Sequence, residues 1–149
     1  MREYRLHVKP FEVLTPYELY AILRLRVDVF VVEQRCIYPE LDGLDEGAVH
    51  VWLEKNGEVM AYLRVMAQGT ESDEVSIGRV VSKNRGLGLG MRVLRAGIRA
   101  AKERFQAENV YLEAQTYAVP FYEKAGFEVH SEPFDLDGIE HVRMLLRLP

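Results

Sequence analysis

The run Arg85-Gly86-Leu87-Gly88-Leu89-Gly90 is the clearest chemical feature of the sequence. It stands between a β-branched apolar segment and an amphipathic one, so we expect a strand, a tight turn and the start of a helix. Glycine allows the backbone to approach a ligand closely, and the exposed N–H groups and dipole at a helix start attract anions. The pattern predicts a phosphate-binding turn, to which Arg85 adds a charge-assisted contact.

Two better-known phosphate motifs are not satisfied by this turn. A dinucleotide-binding fingerprint would place glycine where Met91 stands, and a P-loop would need Gly-Lys followed by Ser or Thr. The glycines can also serve turn geometry alone. The sequence thus argues against NAD or ATP as the ligand, and it leaves a purely structural turn as the alternative.

The elements around this turn follow from apolar periodicity and turn signals. Strands are predicted near 4–8, 50–53, 59–66, 75–81, 110–114, 127–134 and 141–148, and helices at 16–33, 88–105 and 120–124, with a loop at 36–47. Strand, helix and strand over 75–114 form a crossover unit with parallel strands, whereas the flanking strands are antiparallel. The sequence therefore predicts one α+β domain, 1–149, with a mixed sheet.

Composition excludes several classes of protein. A net charge of −4 argues against a nucleic-acid binder, which usually carries a basic face. Cys36 is the only cysteine, so neither an internal disulfide nor a metal site made of several thiolates is possible. No signal peptide is evident, and no apolar run approaches the roughly 18 residues of a membrane span. We expect a cytoplasmic protein without a membrane partner.

The sequence resembles the GNAT superfamily, whose acyl-coenzyme A signature, Gln/Arg-x-x-Gly-x-Gly/Ala, is matched by Arg85, Gly88 and Gly90. A second block, from Gln115 to Phe127, is similar to a later motif of that superfamily. The N-terminal half is similar to its ElaA-like branch through Arg26, Glu33, Gln34, Cys36, Tyr38, Asp42, Gly43, Asp45 and His50. The resemblance covers nearly the whole chain.

The resemblance implies a mostly antiparallel sheet in which the strands ending near Val81 and Gln115 splay apart to admit coenzyme A. Many members of the superfamily have asparagine where Gln115 stands. The cofactor-binding residues implied are Val80, Val81, Arg85, Gly86, Gly88, Leu89, Gly90, Met91, Gln115 and Tyr122.

Transfer of an acyl group from a thioester to an amine needs a proton acceptor, a proton donor and groups that polarise the carbonyl. By resemblance Tyr122 is the donor, with core packing as the alternative role, and an N–H of Val80 or Val81 polarises the carbonyl. The candidates for the base are Glu33, His50, Glu113 and His141. Glu33 is preferred because it follows the first helix, a region that shapes the acceptor pocket in this superfamily.

The resemblance implies an N-acetyltransferase with acetyl-CoA as co-substrate and a primary amine, on a small molecule or a peptide, as acceptor. Direct attack in a ternary complex is expected. The alternative is a catalytically weak acyl-CoA-binding or sensing module. Asp42, Asp45 and His50 fit no metal motif, so no metal is expected, and the two aspartates are predicted to attract a cationic amine. A homodimer is possible, because members of the superfamily often dimerise.

Overall fold

A computed structural model describes residues 3–149, in which an eight-stranded sheet forms the centre of the fold. The strands are β1 (Arg5–Pro10), β2 (Val49–Lys55), β3 (Glu58–Met66), β4 (Val75–Ser82), β5 (Asn109–Gln115), β6 (Glu128–Val129), β7 (Phe134–Leu136) and β8 (Ile139–Arg147). They lie in the order β1-β2-β3-β4-β5-β8-β6, and β7 also pairs with β8. Only β4 and β5 are parallel, so the predicted mixed, mostly antiparallel sheet is confirmed.

In the described part of the chain three α-helices pack on the sheet: α1 (Pro16–Arg26), α2 (Leu89–Phe105) and α3 (Val119–Glu123). Short 3₁₀ turns cover Phe11–Val13 and Thr116–Ala118. A capping box between Thr15 and Glu18 starts α1, because each side chain accepts a hydrogen bond from the other residue's backbone N–H. The first helix was predicted to end near Glu33, and its last seven residues, Val27–Glu33, form a wider π-helix. Within residues 3–149, no helix is both long and apolar enough to cross a lipid bilayer.

Hydrophobic packing covers the two faces of the sheet unequally. The main core lies under α2, where Gly97 allows the helix to approach β3 so closely that a Cβ there would lie 2.7 Å from Leu63. A smaller core under α1 includes Ile22, Trp52 and Tyr62. Residues of β5 and β8, among them Tyr111, Glu113 and His141, form part of the cleft described below.

The prediction of one strand over 127–134 is wrong. The segment forms two short strands, β6 and β7, which both pair with β8. Between them the hydroxyl of Ser131 accepts a hydrogen bond from the backbone N–H of Arg143 at 2.8 Å, a side-chain contact in place of a backbone one. Pro133, which has no N–H to donate, also lies in this gap.

The predicted splay between β4 and β5 is present. The two strands pair only at Val75 with Val110 and at Ser76 with Tyr111. Beyond that point the register between β3 and β4 shifts, and Arg79 takes a left-handed conformation with φ of 55°. Such a β-bulge bends its strand. The bend coincides with the separation of β4 from β5, which opens a cleft between their C-terminal ends.

Candidate active site

One cleft with a volume of about 950 Å³ runs between the separated ends of β4 and β5. Its walls include the glycine-rich turn, the start of α2, α3, the end of the π-helix and the loop that follows it. All ten residues predicted to bind the cofactor line this cleft. Their contact with a cofactor stays a prediction, but the structure brings the two sequence motifs together around one space.

The turn before α2 has the backbone that an anion site needs. Gly86 and Gly88 have φ values of 87° and 75°, a left-handed region in which other residues are strained. Gly88 caps α2 without a side-chain hydrogen bond to the first turn, so the helix start is left for a ligand to cap. Gly90 serves packing instead, because a Cβ there would lie 3.3 Å from the ring of Phe121.

The edge of β4 that faces the cleft supplies further hydrogen-bonding groups. Pairing with β5 stops at Ser76, so Val80 and Val81 have no partner strand on that side within the described chain. An unpaired strand edge presents rows of N–H and C=O groups. The contact of this edge with a pantetheine arm and with the carbonyl stays a prediction.

Tyr122 combines the two roles weighed for it from sequence. Its ring makes edge contacts with Phe121 and Phe127, with ring centres 5.1 and 6.0 Å away, so it packs in the core. Tyr122 is also 9% exposed and lines the cleft, and its hydroxyl has no hydrogen-bond partner in the described part of the chain. Burial raises the pKa of Tyr122, which keeps the phenol protonated and able to donate.

The four candidate bases occupy different places. Glu33 is exposed, does not line the cleft and has its carboxylate 3.4 Å from the guanidinium of Arg85. His50 is fully buried outside the cleft, where it accepts from Tyr62 and donates to the carbonyl of Asp45. Burial lowers the pKa of His50. Only Glu113 and His141 line the cleft, so the geometry favours these two, and the preference for Glu33 stays a prediction.

His141 has a lone pair available for a ligand. Its Nδ1 lies 2.7 Å from the carbonyl oxygen of Ile139, and because a carbonyl only accepts, Nδ1 must carry the proton. In the neutral ring Nε2 is then an acceptor, and it has no partner among residues 3–149. The residue is 8% exposed and pairs with Gln115 across β5 and β8. His141 is therefore a fixed, accessible proton acceptor.

A buried charge network behind the cleft was missed from the sequence. It joins three arginines to three carboxylates, with the arginines Arg26, Arg64 and Arg79 and the acids Glu40, Asp42 and Asp45. Two of the arginine side chains are fully buried, and the shortest contacts measure 2.6 to 2.8 Å. The signal that could have revealed it is the presence of arginine inside strands that are otherwise apolar.

The network corrects the roles predicted for Asp42 and Asp45. Arg64 contacts Asp42 at 2.6 Å and Asp45 at 3.0 Å, so neither carboxylate is free to attract a cationic amine. Burial alone would raise the pKa of Asp42, but the hydrogen bonds and charge of Arg64 outweigh it and lower that pKa to about 2. Within residues 3–149, no group of three or more acidic, histidine or cysteine side chains is arranged to hold a metal ion.

The same network holds the loop that walls the cleft. Glu40 and Asp42 lie on this loop, and both contact Arg79 in the bulge of β4, at 2.8 and 3.3 Å. The guanidinium of Arg79 also lies over the ring of Tyr38, 5.4 Å from its centre. Nearby, Gln34 and Gln115 exchange weak side-chain hydrogen bonds of 3.4 Å between the loop and β5. The loop and the bulge are thus fixed to each other.

Comparisons with known proteins agree with this fold. The acetyltransferase (GNAT) domain matches residues 23–148. An acyl-CoA N-acyltransferase from Pseudomonas aeruginosa has a solved structure that is 38% identical, with a TM-score of 0.89, and the match covers 95% of this chain and 99% of that one. For the crystal structure of Escherichia coli ElaA, the identity is 32%, the TM-score 0.90, and the coverage 97% and 99%.

A UPF0039 protein of Schizosaccharomyces pombe is 39% identical over 144 residues, which are 94% of this chain and 95% of that protein. The fold is that of the acyl-CoA N-acyltransferases, and with the family match it indicates an acyltransferase. The chain belongs to the GNAT acetyltransferase-domain family. Its relatives include ElaA, so the resemblance to the ElaA-like branch is confirmed.

Proposed function

We propose that this chain is an N-acetyltransferase that moves an acetyl group from acetyl-CoA to a primary amine by direct attack in a ternary complex. The observation that carries the proposal is the single cleft that unites the anion-binding turn, the open edge of β4, the unpartnered hydroxyl of Tyr122 and the free Nε2 of His141. Each of these groups matches one requirement of acyl transfer to an amine.

Binding of the co-substrate follows from the first two of these features. The N–H groups at the start of α2 receive the pyrophosphate, and Arg85 adds a positive charge. Glu33 lies close enough to Arg85 to orient it. The main chain at Val80 and Val81 pairs with the pantetheine arm. Bound acetyl-CoA supplies the activated thioester.

Three groups of the chain then handle the protons and the charge. Nε2 of His141 takes a proton from the acceptor ammonium, so that a neutral amine attacks. An N–H of Val80 or Val81 donates to the carbonyl oxygen as negative charge develops there. Tyr122 gives its proton to the departing thiolate, which leaves as free coenzyme A, and the phenolate regains a proton from the nitrogen, which loses its second proton as the amide forms. One C–N bond forms and one C–S bond breaks, and no metal takes part.

The identity of the base is tested by a matched pair of variants. His141→Gln removes the proton acceptor from the cleft, whereas Glu33→Gln changes a surface carboxylate outside it. We expect transfer to fall by roughly 10²- to 10⁴-fold in the first variant and by much less in the second. The opposite ranking would return the role to Glu33.

The experiment that tests the function combines purified protein, acetyl-CoA and a panel of primary amines, with thiol release followed by mass spectrometry of the amine. Amine-dependent thiol release with one acetyl group on the amine supports the proposal. Binding of acetyl-CoA without transfer to any amine would support the acyl-CoA-binding or sensing module instead. The cytoplasmic location and the homodimer stay predictions.

A further inference from the structure

Two glutamates line the part of the cleft that is proposed to face the acceptor. We call the acceptor half the wall formed by Glu71, which precedes β4, by Tyr111 and Glu113 of β5, and by His141 of β8; all four line the cleft. Neither glutamate has an ion-pair partner within 4.0 Å among the described residues. Glu113 accepts a hydrogen bond from the hydroxyl of Tyr111 at 2.8 Å.

Among the described residues, the cations that line the cleft form no ion pair with either glutamate. Arg85 and Lys124 belong to the side of the glycine turn and α3, where the co-substrate phosphates are proposed to bind. Arg79 is already bound by Glu40 and Asp42. Arg143 is paired with Glu113 across β5 and β8, but its guanidinium lies over the ring of Phe134, 4.7 Å from the centre.

Glu71 responds to this environment. Burial raises its pKa, and the negative charges of Glu113 and Asp42 raise it further, against the opposing effect of Arg64 and Arg79. Glu71 and Glu113 line the same cleft, so the negative charges of both act on a ligand bound in the acceptor half. A cationic group on that ligand would be attracted to both carboxylates.

His141 gives an independent sign of a ligand in the same place. Its side chain is nine-tenths buried, it lines the cleft, and its Nε2 is an acceptor with no partner in the described residues. Gln115 and Glu113 lie on the same face of the sheet as His141, because Gln115 is its direct cross-strand partner and Glu113 is two residues before Gln115. A donor such as an amine would satisfy this nitrogen.

We propose that the acceptor is a primary amine that carries a second cationic group, as diamines and polyamines do. The reacting amine faces Nε2 of His141, and the far ammonium binds between Glu71 and Glu113. This inference rests on the proposed transferase function and adds the chemical class of its acceptor.

The test compares amines of equal length that differ in charge. The probes are putrescine and cadaverine, each set against n-butylamine or n-pentylamine, in buffer of low ionic strength with saturating acetyl-CoA. We expect kcat/KM to be roughly four- to 25-fold higher for each diamine, since each partly screened ion pair contributes about two- to fivefold. High salt should reduce this ratio.

Two variants locate the second ammonium. Glu71→Gln and Glu113→Gln should each lower the ratio of diamine to monoamine kcat/KM by about two- to fivefold. The control is Glu128→Gln, which removes an exposed carboxylate on β6 that does not line the cleft and should leave the ratio unchanged. Thermal unfolding midpoints show whether all three variants fold.

The outcomes separate this inference from the function on which it rests. Equal kcat/KM for diamines and monoamines, or a ratio that neither glutamate variant lowers, overturns the inference while the acetyl transfer still stands. A peptide N-terminus preferred over every diamine also overturns it. If no amine is acetylated although acetyl-CoA binds, the proposed function fails and the inference fails with it.

Discussion

Arg79 is the residue whose replacement tests the structural basis of the cleft. It is in a left-handed conformation with φ of 55°, which costs a residue other than glycine roughly 1 kcal/mol. Its guanidinium offsets that cost through Glu40, with contacts of 2.8 Å to the carboxylate and 3.0 Å to the carbonyl, and through Asp42 at 3.3 Å. Removing the side chain should lower the free energy of unfolding by about 2 kcal/mol. The loss is no larger because the carboxylate of Glu40 keeps its second partner, Arg26.

Two variants separate the backbone from the side chain. Arg79→Gly and Arg79→Ala both remove the guanidinium, but only alanine retains the cost of positive φ. Glycine also loses more chain entropy on folding, so we expect it to be more stable than alanine by only about 0.5 kcal/mol. Urea unfolding monitored by Trp52 fluorescence measures both values.

The same pair of variants tests the link to catalysis. The bulge at Arg79 positions Val80 and Val81, whose N–H groups are proposed to bind the pantetheine arm and to polarise the carbonyl. We expect kcat to fall by roughly tenfold or more in both variants. Equal stability of the Arg79→Gly and Arg79→Ala variants, together with an unchanged kcat, would refute the argument that the charge network stabilises a strained bulge.

Three further predictions concern proton donation, binding and acid stability. Tyr122→Phe should lower kcat by roughly 10²-fold or more while the stabilisation by acetyl-CoA is retained, and unchanged turnover would remove the donor role. Gly88→Ala should weaken acetyl-CoA binding measured by calorimetry, because alanine at positive φ adds strain of roughly 1 kcal/mol to the turn. A steric clash does not contribute, since the new methyl group would meet no atom within 4 Å. The pKa of Asp42 is about 2 in the folded protein, against an ordinary value of 3.8. This difference contributes about 2 kcal/mol to the free energy of unfolding above pH 4, and the contribution is lost between pH 4 and 2. As the pH falls from 4 to 2, the free energy of unfolding of the Asp42→Asn variant should decrease less steeply than that of the unsubstituted protein. Identical slopes for the two proteins would contradict this role of Asp42.

Local signals predicted much of the fold correctly. The capping box at Thr15 placed the start of α1. The pairs Asn56-Gly57 and Asp137-Gly138 predicted the two hairpin turns, and all four residues have positive φ in the structure. These features depend on residues close in sequence. The break between β6 and β7 was not predicted, because it involves Ser131 and its partner on β8, twelve residues further along the chain.

The site was predictable only in part. The glycine turn and the later motif identified ten residues that line one cleft, since both motifs have characteristic sequence spacing. The candidate bases could not be separated from sequence, because the choice depends on which side chain reaches the cleft. The charge network was also hidden. It joins Arg26, Arg64 and Arg79, which are distant in sequence, through one irregular loop.

The measurement that tests the central claim most directly is thermal unfolding with acetyl-CoA, free coenzyme A, NAD and ATP side by side. A ligand that binds only the native protein, at about 100 times its Kd, adds about 2.7 kcal/mol of stability. For a chain of this length we expect the midpoint to rise by roughly 5–10 °C with acetyl-CoA and coenzyme A and to stay unchanged with NAD and ATP. No rise with the coenzyme A pair, or a rise with NAD or ATP instead, would contradict the assignment of this cleft to an acyl-CoA.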